Sequence, residues 1–337
     1  ATCPPVAVNA QIAKRQASRR LFFQVLGLAL GLALCVTLFA MTAERFAVFT
    51  RGDSDRSRRQ CLRSASEDNL ARPCEAKLRV MTLNLAHGRS DRFHQVLLSE
   101  DEIRNNLEDV ANILKREAPD VVALQEADGP SRWSGLFDHV RYLSDRSGFS
   151  HAFRGTHNLA AWGDLGLDYG TALLSRLPLE KSRSRPFVSN WRCTKGYVTS
   201  TLRLPELGNC PIDVVSLHLD FLNPSVRQSQ VKQLVDELAL SPHPKVVLGD
   251  FNCSWEEGCL QLLVDKLGLV AYPTLDAPGT FPSNDPRRQL DWVLISGELE
   301  FVTQHVLDDR VSDHLGVLAE VRWRDPESLV RCQVELR

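Results

Sequence analysis

The segment KVVLGDFN at residues 245–252 joins an apolar run to polar residues that can hold ions or phosphate. The run around Val246 and Val247 is typical of a buried strand that ends at a turn. Successive side chains of a strand point to opposite faces, so Asp250 and Asn252 share one side while Phe251 turns into the packing. The segment therefore predicts a buried strand that ends in a polar site.

Seven further runs have the same β-rich character and also carry polar residues near their ends. Helical periodicity fits Glu102 to Glu117 and Ser225 to Leu240, which can cover a sheet. Long apolar strands with helices between them predict sheets buried by helices. The seven runs are LRVMTLNL (78–85), DVVALQE (120–126), YGTALLSR (169–176), YVTSTLRL (197–204), IDVVSLHL (212–219), LDWVLIS (290–296) and GVLAEVRW (316–323).

The polar residues at these strand ends are carboxylates, carboxamides and histidines. Any one of them alone is typical of a cap or a loop residue. As an ordered set at the ends of several buried strands, they can converge at one edge of the sheets. The set comprises Asn84, Glu126, His218 with Asp220, Asp250 with Asn252, Asp291, and Asp313 with His314.

Such a set suits the hydrolysis of a phosphoester, which requires charge neutralisation, an aligned water and proton transfer. Mg²⁺ prefers hard oxygen ligands and keeps several waters, so one or two carboxylates suffice to hold it. Glu126, helped by Asn84, is the natural candidate, and Mn²⁺ is the alternative cation. His314 is the expected general base or phosphate-polarising group. Asp291 is the expected carboxylate that orients the imidazole of His314.

The sequence resembles the endonuclease/exonuclease/phosphatase superfamily of metal-dependent phosphoesterases. This superfamily includes DNase I-like nucleases, abasic-site endonucleases, inositol polyphosphate phosphatases and neutral sphingomyelinases. The resemblance covers residues 77–324 and implies an α/β fold, a four-layer α-β-β-α sandwich of two mixed β-sheets. It rests on motifs that keep the family order: TLN (82–84), LQE (124–126), SLHLD (216–220), GDFN (249–252), LDWV (290–293) and SDH (312–314).

The resemblance also implies roles for individual residues. Asp250 orients the attacking water or takes part in metal binding, and Asn252 contacts the phosphate. His218 contacts the phosphate or protonates the leaving oxygen. Asp313 matches a second acidic residue near the metal, although it can equally hold its loop. The candidate substrate contacts, for which a structural role stays open, are Tyr169, His87, Asp220 and Arg227.

Charge bears on the substrate. The net charge is 40 minus 42, or −2, and residues 1–43 hold four basic residues and no acid, which leaves −6 for the remainder. An acidic domain lacks the basic face typical of nucleic-acid binding. A lipid head group or small-molecule phosphoester is therefore the preferred substrate, and a DNase I-like nuclease acting on nucleic acid is the alternative.

Residues 21–43 form 23 consecutive uncharged residues, long enough for a helix to cross a bilayer. We expect a basic segment at 1–20, a transmembrane signal-anchor at 21–43, a linker at 44–76 and a tail at 325–337. A cleaved signal peptide is the alternative, although its apolar region usually runs only about 7 to 15 residues. Arginines follow the run as well as precede it, so charge does not fix the orientation.

Nine cysteines bear on the compartment. Close spacing suggests the pairs Cys61 with Cys74 and Cys253 with Cys259, which suit an oxidising compartment and an extracytoplasmic catalytic domain. A bridge between Cys193 and Cys210 is not assumed, because the predicted hairpin separates them by several strand steps. No Cys-x-x-Cys or His-Glu-x-x-His motif supports a zinc site.

Other chemistries lack their motifs, since the sequence holds no Gly-x-Ser-x-Gly elbow and no phosphate-binding Gly-x-x-x-x-Gly-Lys loop. A degenerate binding module would require a broken site, whereas this set of motifs is complete. No protein partner is indicated. The sequence therefore predicts a single-pass membrane protein with a Mg²⁺-dependent phosphoesterase domain.

Overall fold

The computed structural model describes residues 77–160, 167–188, 195–205, 209–272 and 278–325. No helix within these ranges is long and apolar enough to cross a membrane. The expected basic segment, transmembrane run and linker lie outside the described residues, as do Cys61, Cys74 and Cys193.

Thirteen strands and four α-helices make up the described part of the chain. The helices are α1 Glu100–Glu117, α2 His139–Ser147, α3 Pro224–Leu238 and α4 Cys259–Leu267. Short 3₁₀ turns occupy Ala86–Gly88, Gln95–Leu97 and Trp255–Glu257. The strands are β1 Leu78–Asn84, β2 Val121–Asp128, β3 His151–Arg154, β4 Asn158–Ala160, β5 Leu167–Ser175, β6 Glu180–Pro186, β7 Gly196–Arg203, β8 Pro211–His218, β9 Lys245–Asp250, β10 Leu269–Ala271, β11 Asp291–Ser296, β12 Leu299–Val306 and β13 Val317–Trp323.

The strands form two mixed sheets. The first has the order β12-β13-β1-β2-β5-β3, with β4 also paired to β5, and the second has the order β10-β11-β9-β8-β7-β6. β1 and β2 are parallel, as are β8 and β9, while the other named pairs are antiparallel. The expected pair of mixed β-sheets is confirmed.

Alternation along each strand divides the apolar residues among three layers of packing. In β1, Val80 faces the second sheet, where it joins a core with Val214 and Leu248. The next residue, Met81, faces outward and packs in a cluster with Leu107 of α1. A third cluster joins the outer face of the second sheet to α3 and α4. Helices therefore cover both outer faces, and each buried Leu or Val contributes about 1.5–3 kcal/mol.

The eight predicted strands are confirmed within two residues at most of their ends, and both predicted helices are confirmed. α1 begins at Glu100 because Ser99 and Glu102 form a capping box, each side chain accepting a hydrogen bond from the other's backbone N–H. The sequence did not predict the short elements α2, α4, β3, β4 and β10, nor the edge strands β6 and β12. β6 reads EKSRSRP and lies at a sheet edge, where it needs no apolar pattern.

The topology brings chemistry-bearing residues to one edge. The parallel strands β8 and β9 end at His218 and Asp250, which are register partners. Asp291 begins the antiparallel strand β11 directly opposite Asp250. β13 begins with Val317 opposite Thr82 of β1, so the loop with SDH lies near the end of β1.

A disulfide between Cys253 and Cys259 closes the loop that follows β9, as the sequence predicted. Cys210 is also disulfide-bonded.

His157, between β3 and β4, makes the stability depend on pH. Its Nε2 lies 2.9 Å from Thr171 Oγ1. Burial lowers the pKa of His157 to about 3, and the charges of Lys195 and Arg154 act in the same direction. In the unfolded chain His157 therefore binds a proton below its ordinary pKa of 6.5. In the folded chain it binds that proton only below a pKa of about 3.

We expect the free energy of unfolding to fall as the pH drops from 6.5 towards about 3. His157 should contribute up to about 1.4 kcal/mol per pH unit to this fall. His157→Gln should reduce this slope, and His151→Gln, at a partly exposed histidine, should keep it. Urea unfolding at about pH 7, 6 and 5 measures the slopes. Equal slopes for wild type and His157→Gln would contradict the expectation.

Candidate functional site

Eight side chains form a continuous row of potential charges along the edge where β2, β8 and β9 end. Neighbouring members approach each other at distances from 2.8 to 3.8 Å. We call this set the polar row: Asp291, His314, Asp250, His218, Lys195, Glu126, His87 and Asp128.

One end of the polar row is a buried His–Asp pair. His314 Nδ1 lies 2.8 Å from Asp291 Oδ2, and the backbone N–H of Asp291 donates to Thr280 Oγ1. Burial alone would lower the pKa of His314, but the charges of Asp291 and Asp250 outweigh it and raise the value to about 10. The ring is therefore an imidazolium at neutral pH in the metal-free protein.

Asp250 lies at the centre of the hydrogen bonds in the site. Its Oδ2 accepts from Asn84 Nδ2 at 3.0 Å, and its Oδ1 accepts from the backbone N–H of Asn252 at 2.8 Å. The same Oδ2 lies 3.3 Å from His218 Nε2 and 3.8 Å from His314 Nε2. Burial raises the pKa of Asp250 to about 7, against the opposing charge of His314.

His218 and Lys195 continue the row towards the first sheet. Lys195 Nζ lies 3.0 Å from His218 Nε2 and 3.5 Å from Glu126 Oε1. Burial, reinforced by the charge of Lys195, holds the pKa of His218 well below its ordinary value. His218 is therefore a neutral imidazole beside a buried ammonium group.

The far end of the polar row is a second His–Asp pair. His87 Nε2 lies 3.2 Å from Glu126 Oε2, and His87 Nδ1 lies 2.8 Å from Asp128 Oδ1. Burial opposes a charge on His87, but Asp128 and Glu126 raise its pKa. For Glu126, burial would raise the pKa, yet the charges of His87 and Lys195 lower it far below its ordinary range.

A β-bulge directs Glu126 to the site. The step from Leu124 to Ala127 in β2 spans three residues, while their partners in β5, Ala172 and Gly170, are two apart. Glu126 has a φ of 49°, which takes it out of the regular alternation. Ala127 then occupies the outward apolar position that Glu126 would otherwise fill.

Aromatic rings flank the Glu126 side of the row. The rings of His87 and Tyr169 lie edge to face with centroids 5.0 Å apart. Lys195 Nζ lies 6.0 Å from the ring centroid of Tyr169 and 5.8 Å from that of Phe221. Of the predicted substrate contacts, Tyr169 and His87 thus lie at the site.

The other predicted residues have different surroundings. Asn252 donates from Nδ2 to the carbonyl of Leu219, and Asp313 forms an ion pair with Arg89. The Asp220 carboxylate accepts the backbone N–H groups of Leu222 and Asn223, so it shapes a turn. Arg227 is buried and pairs with Glu257 at 2.7 Å. The structure therefore leaves the side chains of Asp220 and Arg227 outside the polar row, because local partners already hold them.

Sequence reasoning missed two members of the row. Asp128 lies two residues beyond Glu126 in LQEAD, and Lys195 comes directly before the apolar run of β7. A charged residue at the end of a buried strand was the signal used elsewhere, and it was available at both positions.

The donor set suits a divalent cation. One ligand atom from each of Asp250, Asp291 and His314 lies within 4.8 Å of the others. Asp291 Oδ1 is buried and makes no hydrogen bond among the described residues, so it has a free lone pair for a cation. Glu126 offers a third carboxylate at the same edge. Hard oxygen donors of this kind are the ligands of Mg²⁺ and Mn²⁺.

Comparison with known proteins agrees with this geometry. A model of the endonuclease/exonuclease/phosphatase family matches residues 81–314. No curated protein matches the sequence.

Solved structures share the fold. One is an endonuclease/exonuclease/phosphatase from Beutenbergia cavernae, with 22% identity and a TM-score of 0.60 over 73% of this chain and 72% of that chain. The human Nocturnin catalytic domain with bound sulfate has 21% identity and a TM-score of 0.57, over 73% and 93%. A mannosyl-6-phosphatase from Bacteroides thetaiotaomicron has 14% identity and a TM-score of 0.56, over 73% and 100%.

The two His–Asp pairs provide a matched test of the electrostatics. Asp291→Asn removes the charge that stabilises the His314 imidazolium, so the pKa of His314 should fall by about one to three units. Asp128→Asn is the control, because it alters the partner of His87 and should leave the pKa of His314 at about 10. NMR titration of the imidazole resonances in metal-free protein measures the pKa of His314 in both variants. An unchanged pKa of His314 in Asp291→Asn would contradict the role given to the pair.

Proposed function

This chain belongs to the endonuclease/exonuclease/phosphatase family, and we propose that it is a Mg²⁺-dependent phosphoesterase that hydrolyses its substrate at the polar row. The observation that carries the proposal is the contact of His314 with Asp291, at 2.8 Å, beside the buried carboxylate of Asp250. This arrangement offers an N–H donor for a phosphoryl oxygen and an acceptor for a water proton.

Glu126, with Asn84, would hold the cation, and the Asp250, Asp291 and His314 group offers further ligand atoms. When bound, Mg²⁺ supplies charge neutralisation for the phosphate, and Mn²⁺ is the alternative cation. Asp313 is held by Arg89 and adds negative charge near His314.

The residues around Asp250 have distinct tasks in the proposed reaction. His314, held between two carboxylates, donates a hydrogen bond to a phosphoryl oxygen, and Asp291 fixes the orientation of its ring. Asp250 aligns the attacking water and takes its proton as the new P–O bond forms, and the leaving oxygen takes a proton from solvent as the ester P–O bond breaks. His218 and Asn252 contact the phosphate. Proton transfer by positioned groups of this kind contributes about 10² to 10⁴ in rate.

The surroundings of the site support a preferred substrate class. Phe221 and Leu222, in the loop that follows β8, are 54% and 75% exposed, which favours a substrate with an apolar part. The acidic balance of the chain also favours a lipid head group or small molecule over nucleic acid. The fold that this chain shares with a mannosyl-6-phosphatase makes a small phosphomonoester a further substrate to screen.

The primary test is metal-dependent hydrolysis. The full chain should be screened with Mg²⁺ against sphingomyelin, phosphoinositides, sugar phosphates, small phosphodiesters, RNA and nicked or linear DNA. Glu126→Gln keeps the size of the side chain and removes the charge that holds a cation, so activity should fall at least about 10- to 100-fold at limiting Mg²⁺. Glu300→Gln, at a partly exposed carboxylate of β12 paired to Arg322, is the control and should keep full activity. Equal rates with excess EDTA and with Mg²⁺ would contradict the proposal.

We also propose that residues 21–43 anchor the protein in a membrane, with the catalytic domain on the extracytoplasmic side. The length of the uncharged run and the Cys253–Cys259 disulfide support this arrangement. The protein should stay with the membrane fraction after an alkaline carbonate wash, and mass mapping of unreduced native protein should find the bridge. Release into the wash would contradict the anchor, and free thiols at both positions would contradict the compartment.

A further inference from the structure

Lys195 is a member of the polar row to which neither the sequence motifs nor the reaction described above gives a task. Its side chain is 7% exposed, although lysine is almost never fully buried without a partner. Its ammonium group must therefore have a compensating anion in every state of the site.

The ammonium lies between the two parts of the site that would face a phosphate. On one side it is 3.0 Å from His218 Nε2, which in turn is 3.3 Å from Asp250 Oδ2. On the other side it is 3.5 Å from Glu126 Oε1. Within the described ranges, Glu126 is the carboxylate at ion-pair distance from Lys195.

The walls around Lys195 leave it little access to bulk water. The faces of Tyr169 and Phe221 are turned towards Nζ at 6.0 and 5.8 Å. A small cavity beside the ammonium is lined by Tyr169, His218 and His157 among others. An anion beside Nζ would meet a positive charge that is largely shielded from bulk water, and electrostatic attraction in such surroundings is stronger than in water.

The backbone beneath Lys195 is held in place. The carbonyl of Lys195 accepts the backbone N–H of Phe187 at 2.9 Å. At Gly196, an added Cβ would lie 2.5 Å from the Arg185 carbonyl oxygen and 2.5 Å from His157 Nδ1. Only glycine fits so close to its neighbours, which fixes where the Lys195 side chain begins.

We propose that Lys195 binds an oxygen of the substrate phosphate, an inference that rests on the proposed function. When Glu126 holds a cation, Lys195 loses its carboxylate partner, and an anionic phosphate oxygen restores the balance of charge. A lysine ammonium is a compact charge with three donors, so it can bind this oxygen and still contact His218. Lys195 then sets the affinity of the site for phosphate itself.

Inorganic phosphate is the probe, because its binding can be measured without any turnover. Calorimetric titration of the full chain with phosphate, in the presence of Mg²⁺, should give about 10- to 100-fold weaker binding for Lys195→Met than for wild type. Lys195→Arg keeps the charge and should retain most of the affinity. Lys245→Met is the matched control, since Lys245 is also buried but donates to the carbonyls of Ser241 and His243, and it should bind phosphate like wild type.

Several outcomes would overturn the inference. One is equal affinity for phosphate in the wild type and in Lys195→Met. Another is the absence of phosphate binding by the wild type. Lys195→Gln provides a second uncharged variant if Lys195→Met does not fold, and failure of both to fold would assign Lys195 a purely structural role. Lys195-dependent phosphate binding without hydrolysis of any screened ester would refute the proposed function but not the phosphate contact. Hydrolysis of an ester together with phosphate binding that does not depend on Lys195 would refute the phosphate contact but not the proposed function.

Discussion

The close succession of acidic and basic side chains along a buried edge is the constraint on which the site depends. Four carboxylates and four nitrogen bases of the polar row follow one another at contact distance, from Asp291 to Asp128. An unpaired charge at this depth would be costly. Carboxylates therefore raise the pKa of His314 and of His87, and the charges of His87 and Lys195 lower the pKa of Glu126. His218 stays neutral beside Lys195. The two His–Asp pairs close the row at its ends. No member is electrostatically independent, and a change at one position redistributes charge along the whole set.

Neither sheet alone contains the polar row, so the row depends on how the two sheets pack against each other. Glu126 and Asp128 belong to the first sheet, whereas His218 and Asp250 belong to the second. Lys195, at the start of β7, connects the two groups. The inter-sheet core of aliphatic side chains therefore fixes the distances across the site as well as the stability of the domain. Protein interiors are close-packed, so this core resists relative movement of the sheets.

Much of this arrangement could be predicted from the sequence. The strand-end residues and the eight long strands follow from local patterns, because apolar alternation and terminal polar residues are visible in one short window. The pairing of Asp291 with His314, which are 23 positions apart, was predicted together with the resemblance of LDWV and SDH to the family motifs. Lys195 carried the strand-end signal, but its contacts could not be predicted, since its partners lie 69 and 23 positions away and only the folded chain brings them together. β6 escaped prediction because an exposed edge strand needs no apolar face. The local partners of Arg227 and Asp220 could not be predicted either, since these contacts exist only in the folded form of α3 and the turn before it.

The bulge in β2 limits which changes in chain length this strand can accept. Removing one residue between Leu124 and Ala127 would close the bulge and leave Ala127 in the apolar layer beneath α1, so the extra position that turns Glu126 to the site would be lost. An insertion that the bulge does not absorb would shift Asp128 away from His87. Loops elsewhere can lengthen at little cost. Length variation among natural relatives should therefore concentrate outside this strand, and alignments that place gaps within it would misassign the acidic residues.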